Sequence, residues 1–272
     1  MFPQWTQNDI TINGVRLHYT RTDDGSRPPL VLVHGFSDNG LCWTLMARDL
    51  ESKYDVLMPD AHGHGLSARV QPGSTIDMAA DLAGIIRELG LTRPVIAGHS
   101  MGAWTIALLG ARFPDVPRAL ILEDPPWGMP RPPASDDAAR KHNPLKAWIE
   151  SLADLSLEEI VAQNRVEHPT WADDVLQAWC AAKKQLDQNF LATKDEGQME
   201  WQDVVKALAC PTLVITADPD KGGLITPEVA SLITEMNPAI TVAHIPGTGH
   251  HVRFEDYDAY MDVFRRFLEE NG

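Results

Sequence analysis

Val95-Ile96-Ala97-Gly98-His99-Ser100-Met101-Gly102-Ala103 decides how the rest of this chain is read. An apolar run of the kind buried on both faces of a sheet leads into Gly98-His99-Ser100-Met101-Gly102. Helical spacing of apolar residues then follows from Ala103 to Phe113. Strand, tight turn and helix in that order put a serine at the apex of a strained bend. Side chains two positions either side would collide with strand or helix, which is why both positions are glycine. The hydroxyl then projects outward, and the Met101 N–H points into the same space from a helix N-terminus. Such a serine either caps a structural βα turn or serves as a nucleophile.

Outward from this turn, short apolar runs alternate with helical patterns, the signature of a mostly parallel sheet covered by helices. Ile10 to Asn13 and Val15 to Thr20 flank Asn13-Gly14 and predict a hairpin. Leu30 to Val33, Tyr54 to Met58 and Ala119 to Leu122 predict buried strands; Leu41 to Leu50 and Ile76 to Leu89 predict helices. The rhythm breaks after Glu123, where Asp124-Pro125-Pro126 opens a proline-rich stretch that includes Met129 to Pro133. From about Asn143 to Val205 the spacing is helical with no convincing strand. Strand patterns resume at Thr212 to Ala217 and Thr241 to Ile245, and a last helix is expected over Phe254 to Glu270. The expected division is an α/β core of residues 1–124 and 206–272, with a helical cap over 125–205.

Length and charge bound the function. A chain of 272 residues can bury a core without disulfide or metal staples. Its 38 acidic and 23 basic residues give a formal charge of −15, a mean field that repels nucleic acid and anionic membrane. Neither is expected as a partner. The three cysteines, Cys42, Cys180 and Cys210, have neither metal-ligand nor disulfide-scaffold spacing and read as buried thiols in a reducing compartment. Met1 to Asn13 does not read as a signal peptide, and no stretch approaches the roughly 20 apolar residues that cross a bilayer. A cytoplasmic protein is expected; the sequence leaves the oligomeric state open.

A serine hydroxyl is a poor nucleophile without a base in hydrogen-bond reach, and an oxyanion needs two preorganised donors. Met101 N–H is one candidate donor. The second is the N–H of Phe36, in His34-Gly35-Phe36 directly after the strand Leu30 to Val33. His34 itself reads as a brace for that loop. Among ten histidines, His250 stands in the glycine-bearing loop between the last strand and the last helix, where a base would sit at the carboxyl edge of the sheet. His99, ahead of the serine, cannot reach round to it; His62 and His64 read as shaping a loop, with no third metal ligand nearby. The acid that orients the base is expected to be Asp220, with Asp218, and Asp124 or Glu123, as alternatives.

With these residues in place, the sequence resembles the α/β-hydrolase superfamily. The matching pieces are His34-Gly35-Phe36, Asp60-Ala61-His62-Gly63-His64-Gly65-Leu66-Ser67, Gly98 to Gly102, Pro211 to Pro227 and Gly247 to His250, in family order over nearly the whole chain. The resemblance implies an eight-stranded, mostly parallel sheet with the second strand antiparallel, and a helical cap between strands six and seven. It also favours Asp220, because relatives commonly carry the acid three residues after a glycine that ends strand seven. Here Ala217 takes that glycine's place.

The resemblance implies hydrolysis of a carboxylic ester: Ser100 as nucleophile, His250 as base, Asp220 as acid, Phe36 and Met101 as oxyanion donors, and no cofactor or metal. Haloalkane dehalogenases and epoxide hydrolases use an aspartate at the elbow, so Ser100 argues against both. Carbon–carbon bond hydrolases, the lyase of menaquinone biosynthesis and cofactor-free perhydrolases keep a serine triad and stay open. That lyase would bring arginines to a polyanion, and the cap offers mainly Arg131, Arg140 and Arg165. A non-catalytic small-molecule receptor is the reading from a different class. The cap tryptophans, Trp127, Trp148 and Trp179 foremost and Trp171 and Trp201 beside them, either line an apolar pocket or pack cap against core. A small-to-medium, largely apolar ester is the expected substrate.

Overall fold

Asn13 and Gly14 adopt φ of +52° and +81°, the pair of positive values that lets a two-residue turn follow the twist of its strands. In the computed structural model, which describes residues 5–129, 144–152, 154–195, 197 and 199–272, this turn joins β1 (Thr6–Ile12) to β2 (Val15–Arg21), with Ile12 opposite Val15. The further strands of the large sheet are β3 (Pro29–Val33), β4 (Asp55–Pro59), β5 (Val95–His99), β6 (Ala119–Glu123), β7 (Thr212–Thr216) and β8 (Ile240–His244). Their order across the eight-stranded sheet is β1-β2-β4-β3-β5-β6-β7-β8. β2 runs antiparallel to both neighbours, and the pairings from β4 to β8 are parallel. This is the implied architecture, with the second strand reversed.

Strand alternation sorts the core into two layers. Val31, Val33, Ile96, Leu120 and Leu122 pack under α2 (Met78–Glu88) and α3 (Met101–Arg112). Leu30, Leu32, Val95, Ala97, Ile121 and Ile215 face the opposite way. Against them lie α1 (Thr44–Leu50) and the C-terminal helix, through Met46, Leu50, Tyr260 and Phe264.

Between β6 and β7 the chain inserts α4 (Pro144–Leu152), α5 (Leu157–Glu167), α6 (Asp173–Lys183) and α7 (Trp201–Ala207). The insertion also holds a two-residue strand, Lys194–Asp195, paired in parallel with Thr75–Ile76 ahead of α2. So short a bridge leaves no periodicity in sequence. After β7 come α8 (Pro227–Met236), β8, α9 (Val252–Glu255) and α10 (Tyr257–Asn271). The single predicted last helix is thus two, split at Asp256, whose carboxylate caps α10 by accepting from the Ala259 N–H. Pro130 to Pro133 of the proline-rich stretch, with Arg131 and Arg140, lie outside the described residues.

Among the described residues no helix is long and apolar enough to cross a membrane. All three cysteines are buried and unpaired. Burial pushes the Cys42 thiol up to about 12 and Cys180 up to about 11, so neither forms the reactive thiolate near neutral pH. Native protein exposed to a thiol-disulfide indicator at pH 8 will therefore react slowly or not at all, while unfolded protein titrates three thiols. Rapid stoichiometric reaction of the native chain would contradict this packing.

Candidate active site

β5 ends in the bend that the glycine spacing requires. Ser100 takes φ +53° and ψ −114°, a conformation that L-residues hold only where the surroundings dictate it. The surroundings are tight. A Cβ at Gly98 would lie 2.7 Å from the carbonyl oxygen of Gly102, and one at Gly102 would lie 2.3 Å from that of Val33 on β3. Ser100 is partly exposed, and Met101 opens α3 behind it.

The loop after β3 is braced from below. His34 Nε2 accepts from the Ala61 N–H at 3.0 Å, so its proton sits on Nδ1 and is donated to the Gly35 carbonyl at 2.8 Å. Burial pushes this imidazole's pKa down, in keeping with a neutral ring. Asp60, buried at the end of β4, accepts from Gly40 N–H at 2.7 Å and Leu66 N–H at 2.8 Å. His64 packs edge-on against Phe190, centroids 4.5 Å apart, and bonds to the His62 carbonyl. The Asp60-to-Ser67 motif therefore shapes this loop. Among the described residues no three His, Cys, Asp or Glu side chains gather as metal ligands would. Nor does the N–H of Phe36 or Met101 donate to another backbone group there.

A second brace comes from the insertion. Lys183 on α6 is buried with its ammonium 2.6 Å from Asp38, two residues past Phe36, and 3.7 Å from the Trp179 ring centroid. Asn39 donates to Gln185 at 2.8 Å. The helical insertion is thus fastened directly onto the loop that carries Phe36.

His250 follows β8 and lies at the elbow. The ring of His99, the residue ahead of Ser100, is 4.6 Å from the His250 ring, and its Nε2–H donates to the His250 carbonyl at 2.9 Å. His250 Nδ1 donates to Asp124 at 2.7 Å, a charge-assisted bond that leaves Nε2 as the basic nitrogen. No hydrogen bond joins Ser100 Oγ to that ring among the bonds of the described residues. Contacts of this kind are often long before substrate arrives.

The structure does not bring Asp220, the expected acid, to His250; the carboxylate bonded to that ring is Asp124's. Asp124 is fully buried immediately after β6 at φ +44°. Its carboxylate also accepts the N–H groups of Leu224, at 2.9 and 3.0 Å, and Ile225, at 3.3 Å. The loop after β7 thus offers its backbone donors to a carboxylate that follows β6. Asp220 lies exposed in the 3₁₀ turn Pro219–Lys221. Asp218 is held by His244 at 2.9 Å and the Gly247 N–H at 2.8 Å. Glu123 is bound at 2.9 Å to the guanidinium of buried Arg253; burial pushes its carboxyl up, against the pull of that cation.

The tryptophans divide. Trp127 is fully buried and stacks on Trp201, centroids 6.2 Å apart, in the core under α3 and α8. Trp179 of the insertion is buried against Trp171 and against His251, which follows β8. Both expected pocket residues are thus buried in packing contacts. Trp148 is half-buried and shares an apolar cluster with Phe36, Met101, Met78 and Phe190. Met78 and Phe190 carried no sequence signal beyond being apolar. Arg165 pairs with Asp173 and donates to the carbonyls of His168 and Trp171. A cavity of about 30 Å³ touches Met101 and Thr105, while the 630 Å³ hollow lined by Leu41, Leu45 and Val175 reaches neither Ser100 nor His250.

Comparison with known proteins adds four findings. A model of the alpha/beta hydrolase family matches residues 30–263. The N-formylmaleamate deformylase of Pseudomonas putida is 27% identical over 271 residues, spanning 96% of each chain. Lipase 1 of Psychrobacter immobilis is 26% identical over 94% of this chain and 81% of its own. In fold, the crystal structure of E-2-(acetamidomethylene)succinate hydrolase superposes with a TM-score of 0.80, at 19% identity, over 98% of this chain and all of the other.

Proposed function

The chain belongs to the alpha/beta hydrolase family, and from that premise we propose that it is a serine hydrolase cleaving a small-to-medium, largely apolar carboxylic ester through an acyl-enzyme on Ser100. The observation that carries the reading is the His250–Asp124 bond of 2.7 Å, made beside the strained elbow. In this mechanism His250 Nε2 takes the Ser100 proton as Oγ adds to the acyl carbon. The oxygen that gains charge is held by the N–H groups of Phe36 and Met101, each donor of this kind contributing about 3–4 kcal/mol. The imidazolium, stabilised by Asp124, protonates the leaving alcohol as its C–O bond breaks. Water, deprotonated by the same ring, then releases the acid and restores Ser100. The apolar cluster of Phe36, Met78, Met101 and Trp148 supports an apolar acyl group. Likeness to a lipase is in keeping with an ester.

A second reading replaces the alcohol by a nitrogen leaving group. It is favoured by the relative that spans 96% of both chains, which by its name removes a formyl group from N-formylmaleamate. The same serine chemistry serves both, with His250 protonating nitrogen instead of oxygen.

Two measurements test these readings. A fluorophosphonate is expected to label the peptide containing Ser100, found by mass spectrometry. Short-chain p-nitrophenyl esters, assayed beside N-formyl and N-acetyl amides of small dicarboxylates, are expected to turn over faster than the amides. Amide turnover exceeding that of every ester would transfer the assignment to the second reading; no labelling of Ser100 would reject both.

A further inference from the structure

His99 makes contacts that a residue merely buried inside the elbow has no need of. Its side chain is 2% exposed. Nε2 is 2.9 Å from the His250 carbonyl oxygen; a carbonyl can only accept, so the ring proton sits on Nε2. The opposite edge faces two other parts of the site. A Cβ on Gly35, in the loop that carries Phe36, would lie 2.6 Å from His99 Nδ1, so glycine is what lets that loop rest on this ring. Asp38 Oδ2 lies 4.0 Å from the same nitrogen, and its other oxygen holds Lys183 of the insertion at 2.6 Å. One imidazole therefore touches the loop of His250 and the loop of Phe36, on a residue whose backbone is joined directly to Ser100. Burial, with the charge of nearby Arg253, pushes its pKa well down, which keeps the ring neutral and the Nε2 donor in place.

We propose that His99 is a positioning residue: its Nε2–H fixes the backbone of His250, and so sets where the His250 ring stands relative to Ser100 and the Phe36 N–H. The ring does not touch substrate. It acts through the peptide of the base, in the mechanism proposed above, on which this inference rests. Two polypeptide segments 151 positions apart in sequence are held by this bond, where the direct His250–Asp124 contact constrains only the far edge of the base.

Three substitutions separate positioning from simple packing. His99→Gln carries an amide N–H near the position of Nε2; His99→Asn is too short to reach; His99→Leu fills the space without a donor. The rate of fluorophosphonate labelling and kcat on a p-nitrophenyl ester are measured for each, per folded molecule. His99→Leu and His99→Asn are expected to lose on the order of 10²-fold in labelling rate and kcat, the loss that about 1 Å of misplacement brings, with KM within about twofold. His99→Gln is expected to recover most of that loss. Equal rates in all four proteins, or Gln as impaired as Leu at equal melting temperature, would overturn the proposal. Should Leu and Asn fail to fold, Gln alone decides: retained rate supports the bond, and a loss as large as 10²-fold refutes it. Failure of the wild type to label at all would instead refute the serine mechanism, so the two failures are distinguishable.

Discussion

Asp124→Asn will lower kcat/KM by about 10⁴-fold, roughly 5.5 kcal/mol of transition-state stabilisation, while Asp220→Asn stays within about twofold of wild type. The first effect follows from tautomer chemistry. In the native site the carboxylate accepts the Nδ1 proton of His250 at 2.7 Å. A carboxamide can keep its oxygen on the Leu224 and Ile225 N–H groups, which the carboxylate now satisfies at 2.9 to 3.3 Å. Its NH₂ then faces Nδ1, which must accept, and the ring proton moves to Nε2. The nitrogen meant to deprotonate Ser100 is then occupied, and the charge that steadied the imidazolium is gone. Because the backbone donors keep an acceptor, the fold survives, and the melting temperature of the variant is the check on that. Asp220, exposed in its turn, contacts neither His250 nor the elbow. Near-wild-type turnover by Asp124→Asn, or a severe loss in Asp220→Asn, would reverse the assignment of the acid.

What the chain disclosed without coordinates, and what it withheld, follows the range of the forces involved. The hairpin at Asn13-Gly14 and the buried strands were legible because turn chemistry and apolar runs are local. The elbow was legible because steric limits at Gly98 and Gly102 act over five residues. The carboxylate that meets His250 was not, because the choice among Glu123, Asp124, Asp218 and Asp220 depends on which finds donors across the sheet. Two acids ending an all-apolar strand ahead of Pro125-Pro126 were the available signal. Buried carboxylates need partners, and these two have found Arg253 and His250. Family spacing argued for the next strand instead. Tryptophans misled for a related reason: an indole large enough to line a pocket is equally suited to fill a core. Trp127 and Trp179 fill cores, and only Trp148 stands beside Phe36 and Met101.

Stability is expected to fall as the pH drops from 7 to 5, with His64 and His99 among the groups responsible. Both rings are buried, and burial pushes both pKa values well below 6.5. In the unfolded chain they bind protons as the pH drops below 6.5; in the folded chain burial holds protonation back to lower pH. The unfolded state therefore gains protons that the folded state does not, and stability is full above 6.5 and lost as pH falls toward the folded pKa values. Each ring can add at most about 1.4 kcal/mol per pH unit in that window. His34, also lowered by burial, acts with them. Glu123, raised by burial, acts with opposite sign, so the net slope lies below the sum over histidines. Against a total of roughly 5–15 kcal/mol for a typical domain, the loss moves the urea midpoint visibly. Urea unfolding at half-unit steps of pH measures the slope, and His64→Leu isolates one ring from the Glu123 contribution: one proton's worth of slope should disappear. An unchanged slope in His64→Leu would mean that the His64 imidazole accepts a proton inside the fold.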